Sequence, residues 1–175
     1  SPSGRTEDIA IERFASLADP HLCAIRYDVT PLDFDRAIEW RAGLNGHVGN
    51  RDTLHWDILG HGERHGIVWL HSRTRGTGIE LGQAARLTVA PAGESEQFCL
   101  DCNGYPQAVG RVRARRGQPI SAEKIVSVFS LRESPEAQIA AIEKLQGLGV
   151  GYDNLRAAHA GEWEKYWRVS DVVIE

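Results

Sequence analysis

Between Arg5 and about Arg132, apolar and polar side chains alternate, and turn chemistry breaks the alternation every eight to fifteen residues. Cys23, Ile25, Tyr27 and Val29 fall on one face of a strand, with Arg26 and Asp28 on the other. Ile38, Trp40, Ala42 and Leu44 stand opposite Glu39 and Arg41 in the same way. A period of two marks a half-buried strand, because successive side chains of extended backbone point to opposite faces. Strand character also runs through residues 9–17, 67–72, 79–89, 97–103, 109–115 and 125–131. Asp19-Pro20, Asn45-Gly46, the segment from Gly60 to Gly66, Arg75-Gly76, Pro91 to Gly93, Gly104 to Pro106 and Gly117 to Pro119 supply the turns. About nine strands with no helix between them predict a mainly β protein, an antiparallel β-sandwich, over residues 1–133.

At Ser134 the period lengthens. Ser134 can cap a helix whose first residue is Pro135 and whose first turn holds Glu136, with Ile139, Ile142 and Leu145 as its apolar stripe and Gly147 or Gly149 as its end. Asp153 can cap a second helix, which makes residues 134–175 a helical hairpin after the β domain. On that helix Leu155, His159, Trp163 and Tyr166 recur at helical spacing, and Trp167 widens the stripe. A face this apolar predicts a large partner. Val172, Val173 and Ile174 read as a buried strand one residue before the terminus, so the chain is expected to be a fragment whose partner surface lies beyond Glu175.

Composition narrows the class. At 175 residues, with 42% hydrophobic and 25% charged residues, the chain has the make-up of an ordinary globular domain with one core. No apolar run approaches the roughly 18 residues of a membrane span, and neither a membrane span nor a signal peptide is expected. A net charge of -4 argues against nucleic acid as a partner, since phosphate binding needs a basic surface. Three cysteines, Cys23, Cys99 and Cys102, do not make a secreted disulfide framework, so a cytoplasmic setting is expected. There is no methionine.

Candidate chemistry is sparse. Cys99-Leu-Asp-Cys102 has the CxxC spacing, but residues three apart on a strand face opposite ways, and no second pair accompanies it. No metal site and no cofactor is predicted. His61-Gly-Glu-Arg-His65 has the outline of a zinc-binding helix, yet Gly60, Gly62 and Gly66 favour a polar hairpin tip. A ligand-contacting loop is the other reading, because Asn50, His55 and Trp56 lie just upstream and loops on rigid sheets carry binding groups. Asn50, His55, Trp56, His61 and His65 are therefore the candidate ligand-contacting residues. Arg111, Arg113 and Arg115 share a strand face, as a phosphate patch or as a surface paired with carboxylates. Nothing nominates a catalytic acid, base or nucleophile.

Three stretches follow one another in order along the chain: Arg13 to Pro31, Leu44-Asn45-Gly46 leading to Asn50, and His159, Trp163, Trp167, Ser170-Asp171 and Ile174. Together they resemble the amino-terminal domain of glycoside hydrolase family 65, the group of maltose, trehalose and kojibiose phosphorylases and related α-glucoside hydrolases. The resemblance implies part of a mutarotase-like supersandwich, then linker helices over 134–175, then an (α/α)6 catalytic barrel that is absent here with its catalytic residues. On that reading Trp163, Tyr166 and Trp167 form the interface with the barrel. The chain is then a non-catalytic support of an enzyme acting on α-glucosidic disaccharides, with Asn50, His55, Trp56, His61 and His65 as the candidate carbohydrate-contacting residues, homodimer formation expected and the sugar reached through the parent protein. Two other readings stay open: a free-standing carbohydrate-binding sandwich, and an aldose mutarotase or epimerase using histidine and glutamate.

Overall fold

The computed structural model describes residues 4–50, 53–91 and 95–170. Strands β1 (Glu7–Ala15) and β2 (Leu22–Pro31) form an antiparallel hairpin. Its corner is closed by the Ser16 amide on the Leu22 carbonyl at 2.8 Å and by Asp19, whose carboxylate accepts the His21 amide at 3.1 Å. β3 (Ala37–Gly43) follows, then a short ribbon of β4 (Gly49–Asn50) and β5 (Thr53–Leu54). The remaining strands are β6 (Trp56–Arg64), β7 (Ile67–Thr74), β8 (Glu80–Ala90), β9 (Ser95–Leu100), β10 (Gln107–Arg113) and β11 (Ile120–Ser130). Two helices follow among the described residues, α1 (Ala137–Gln146) and α2 (Tyr152–Ser170).

The antiparallel β-sandwich with C-terminal helices is the architecture the alternation predicts. A six-stranded sheet in the order β1-β2-β11-β8-β7-β6 packs against a three-stranded sheet, β3-β10-β9. Val68, Leu70, Ala85, Leu87, Val89, Ile120 and Ala122 face inward and meet Ala42, Leu44, Ala108 and Val112. Residues one position out of phase, among them Ile67, Ala84, Ile125, Leu22 and Ala24, face the other way and bury Ala141, Ile142, Leu145, Tyr152 and Leu155 of the helices. The six-stranded sheet is thus apolar on both faces, and the single expected core is two clusters with a sheet between them.

Close approach to the sheet explains two groups of glycines. A Cβ at Gly82 would overlap the backbone carbonyl of Ala137, so the absence of a side chain lets the start of α1 rest on β8. Gly60 and Gly62, read from sequence as turn residues, are strand residues because the Trp69 ring of β7 lies across them, 3.2 and 3.0 Å from where a Cβ would stand. Hence β6 runs through the segment expected to be a hairpin tip. The tip itself is only His65-Gly66, both at positive φ (54° and 77°), the conformation a two-residue hairpin requires.

The helix starts also differ from expectation. Ser134 accepts a hydrogen bond from the Glu136 amide at 3.3 Å, but α1 begins at Ala137, two residues later than predicted. Ile139 is exposed, and Ala137 and Ala141 take its place on the buried stripe. Asp153 does not cap α2; it lies in the first turn and pairs with Arg26. Both helices lie on the outer face of the sheet. The segment at Val172, Val173 and Ile174, expected to be a strand, lies outside the described residues.

Candidate functional site: the aromatic face of the last helix

Helix α2 starts on a charged node built from the sheet. Glu123 of β11 accepts two hydrogen bonds from Arg26 of β2, at 2.6 and 3.2 Å, and its other oxygen accepts the Tyr152 amide at 3.2 Å. The sheet therefore satisfies an amide that the helix itself leaves open. Arg26 also donates to Asp153 at 2.7 Å, and its guanidinium lies 4.2 Å from the centre of the buried Tyr152 ring. Burial, with the Glu12 carboxylate adding to it, pushes the Tyr152 phenol up to about 12.

One turn on, Arg156 donates to Glu12 of β1 at 2.6 Å. His159 stacks on Phe14 with ring centres 4.8 Å apart, and its Nδ1 accepts the Leu17 amide at 3.0 Å, so a neutral ring carries its proton on Nε2. Phe14 also meets Tyr152 edge to face at 5.4 Å. These contacts tie the first two turns of α2 to the β1-β2 corner.

Beyond His159 the helix keeps its aromatic side chains and loses its support. Trp163 is 43% exposed, and Tyr166 and Trp167 are each 57% exposed. Trp163 stacks on Trp167 at 6.1 Å and meets Tyr166 at 6.2 Å, so the rings make one continuous apolar surface. Monomeric proteins seldom leave three large aromatic rings side by side in water, because contiguous apolar area is what association buries. Chemically this face can do one thing well, which is dock another apolar surface.

The five residues singled out as candidate sugar contacts are not gathered into one place. His55 is exposed between β5 and β6, and its carbonyl accepts the Arg75 amide at 2.9 Å. Trp56 is half-buried and lines a cavity of about 270 Å³ with Asn45, Leu70, Ser72 and Gln83. His61 lies inside β6, where Asp101 stands 2.5 Å from its Nδ1; an ionised carboxylate only accepts, so the proton sits on Nδ1. His65, past the far end of the strand, lines a different cavity of about 220 Å³. The nine residues of β6 place Trp56 and His65 on the order of 25–30 Å apart. The side chain of Asn50 lies outside the described residues.

Cys99 is on β9 and Cys102 just beyond it; both are free, and burial pushes the Cys99 thiol up. Among the described residues no group of three His, Cys, Asp or Glu side chains converges as a metal site would. On the Arg111 face, Glu39 accepts from both Arg111 and Arg41 at 2.7 Å, which is the ion-paired surface rather than the phosphate patch. Sequence reading missed the groups that aim α2. Phe14, Arg26 and Glu123 each sit in an ordinary alternating strand, and nothing local marks Phe14 as the residue 145 positions from its histidine partner, although the three charges Arg26, Glu123 and Asp153 were visible.

The chain is 28% identical over 177 residues to a maltose phosphorylase of Bacillus subtilis, covering 98% of this chain and 23% of that protein. It is 25% identical over 191 residues to a kojibiose phosphorylase of Halothermothrix orenii, covering 99% of this chain and 24% of that protein. A solved structure described as a putative kojibiose phosphorylase from the human microbiome has the same fold, with a TM-score of 0.80 at 13% identity over 98% of this chain and 23% of the other. The chain therefore spans about a quarter of the length of the relatives it matches. Among the described residues no helix is long and apolar enough to cross a membrane. With the model for the N-terminal domain of glycosyl hydrolase family 65 matching residues 1–166, the chain belongs to that family.

Proposed function

We propose that this chain is the support region of an enzyme that breaks α-glucosidic disaccharides, and that it carries no catalytic residue itself. Its work is to hold a catalytic (α/α)6 barrel through the aromatic face of α2. The observation that carries this reading is the contrast within one helix: two turns pinned to the sheet through Glu123 and His159, then Trp163, Tyr166 and Trp167 exposed together. A helix that existed only to complete the sandwich would not continue for two apolar turns beyond its last contact.

Docking buries large apolar area, and each tryptophan contributes about 2 kcal/mol or more when covered. A homodimer is part of the proposal. It is supported by β1, an edge strand whose Ile9 and Ile11 are 47% and 54% exposed. In the parent the chemistry is inverting phosphorolysis or hydrolysis: phosphate or water attacks the anomeric carbon while an acid in the barrel protonates the leaving oxygen. A cytoplasmic setting is the matching environment for phosphate as the acceptor.

The test uses the parent protein. It should release glucose 1-phosphate from maltose, trehalose, kojibiose or nigerose in the presence of phosphate. Replacing Trp163 and Trp167 together with alanine should weaken association between this chain and the remainder of the protein by at least about a hundredfold, the loss of two buried rings. Release of free glucose alone from every disaccharide would remove the phosphorylase version. Unchanged association in the double variant would remove the docking role.

A further inference from the structure

A cleft on the inner face of the six-stranded sheet combines features that neither the support role nor the core requires. It has a volume of about 420 Å³, within the size range of small-ligand sites, and opens between β2, β3 and β11. Tyr27, Trp40 and Tyr105 supply aromatic walls, and Glu39, Arg41 and Lys124 supply charge. The half-buried Lys124 reaches across from β11 to donate to the Gly43 carbonyl of β3 at 2.7 Å. One carbonyl leaves two of its three ammonium protons without a protein partner, and no carboxylate among the described residues pairs with it.

Burial alone lowers the Lys124 pKa, the signature of a cation taken out of water with nothing nearby to neutralise it. Among the described residues of the wall the one carboxylate, Glu39, is already shared between Arg41 and Arg111. The cleft is therefore net positive. Register also puts Arg13 of β1 beside Ile25 on this face of the sheet, outside the cleft's lining.

The walls are shaped for a ring. A Cβ at Gly43 would stand 2.6 Å from the Tyr105 ring, so the glycine is what allows Tyr105 to close one side. Tyr27 and Tyr105 are each 39% exposed and Trp40 is half-buried, so three aromatic side chains wall the cleft and two of them carry a hydroxyl group. Aromatic walls that carry hydroxyl groups suit a polyhydroxylated ring, whose C–H face packs on aromatic carbon.

We propose that this cleft binds a small anionic sugar, a hexose carrying one phosphate or carboxylate, with the anion on Lys124 and the ring between Trp40 and Tyr105. The site is separate from the α2 face, so its fate does not depend on the docking role.

Isothermal titration of the 175-residue chain with glucose 6-phosphate, glucuronate, glucose and inorganic phosphate tests the proposal. Glucose 6-phosphate or glucuronate should bind saturably, and whichever binds tighter identifies the head group. Glucose and inorganic phosphate should each bind at least about tenfold more weakly, because each lacks half of the complement. K124M should weaken binding of the anionic sugar at least about tenfold, whereas K144M, on α1 outside the cleft, should leave it unchanged. In parallel, the indole proton resonance of Trp40 should move on titration while those of Trp163 and Trp167 do not. Should K124M fail to fold, that resonance decides on the wild-type chain: movement at Trp40 supports the site, and movement only elsewhere overturns it. Absence of saturable binding by both anionic sugars, inorganic phosphate binding as tightly as glucose 6-phosphate, or an unaltered affinity in folded K124M would each overturn it.

Discussion

Replacing Gly82 with alanine isolates the contact that holds the helical layer on the sheet. A Cβ there would overlap the Ala137 carbonyl, which is backbone and cannot rotate away, so α1 must lift from β8. The helix buries Ala137, Ala141, Ile142 and Leu145 on the sheet, each at 3% exposure or less, and a lift of about 1 Å forfeits a quarter to a half of the dispersion energy of those contacts. Overpacking of this kind costs about 1–3 kcal/mol, and the rigid partner argues for the top of that range. With an m value of about 2 kcal/mol per molar urea, the midpoint should fall by roughly 1.5 M. Two other glycines provide the scale. Gly66 has open space around it but sits at φ 77°, so G66A should cost about 1 kcal/mol through backbone strain alone. Gly76 has neither neighbour nor positive φ, so G76A should stay within about 0.5 kcal/mol of wild type. Urea unfolding followed by tryptophan fluorescence measures all three. If G82A lies within 0.5 kcal/mol of G76A, the claim that β8 and α1 meet at backbone distance is wrong.

Three further outcomes follow from the outer face of the sheet. R26M should destabilise the chain by about 2 kcal/mol in urea, because it leaves the half-buried Glu123 carboxylate without its cation; a change below 0.5 kcal/mol would mean that the pair adds little. W163A and W167A, by contrast, should each shift the stability of this chain by less than about 1 kcal/mol, since the rings are 43% and 57% exposed and neither belongs to a buried core cluster, and a large loss would show that they belong to its own core. Asp19, bonded to Lys144 and the His21 amide, is held below the usual carboxylate range despite partial burial. Its lowered folded pKa means that its contribution is present above the unfolded value and is lost as pH falls through the folded one. Stability should decline below about pH 4, and D19N should flatten part of that decline; an unaltered acid limb in D19N would refute the assignment.

Alternation carried most of the fold because it survives without knowledge of partners. Ile25 and Tyr27 were assigned to the same face of β2 as Val29, and that face does look into the sandwich. The same pattern hid the other layer. Leu22, Ala24 and Arg26 alternate with the inner-face residues, yet two of the three are fully buried, because helices from 120 residues away cover them. Alternation measures a difference between faces and is blind to a sheet covered on both. β6 was lost for a different reason. Gly60 and Gly62 carry turn propensity, and only the Trp69 ring on the neighbouring strand makes bare backbone the better choice there. Ile139 shows the converse: helical spacing picked it for the buried stripe, but the closeness of α1 to Gly82 turns the small residues Ala137 and Ala141 inward instead. The aromatic face of α2 was legible in full, since an amphipathic stripe is a property of the helix alone.

The division of α2 into a pinned half and an exposed half also separates the forces that build it. At Tyr152 and His159 the helix is fixed by groups with one geometry each: a carboxylate that must meet an amide, a guanidinium over a phenol, and an imidazole accepting from Leu17. Directional contacts set where a helix points, whereas apolar burial is indifferent to direction. A helix held only by Leu155 could pivot on the sheet. One held by Glu123 and Leu17 at two points a little under two turns apart cannot pivot without breaking both. Trp163, Tyr166 and Trp167 are consequently held in a fixed orientation by the chain itself, so if the proposed docking is right, the ordering cost that a mobile arm would incur has already been met in folding. Weakening the Arg26-Glu123 node should then loosen the aromatic face even though no residue of that face has changed.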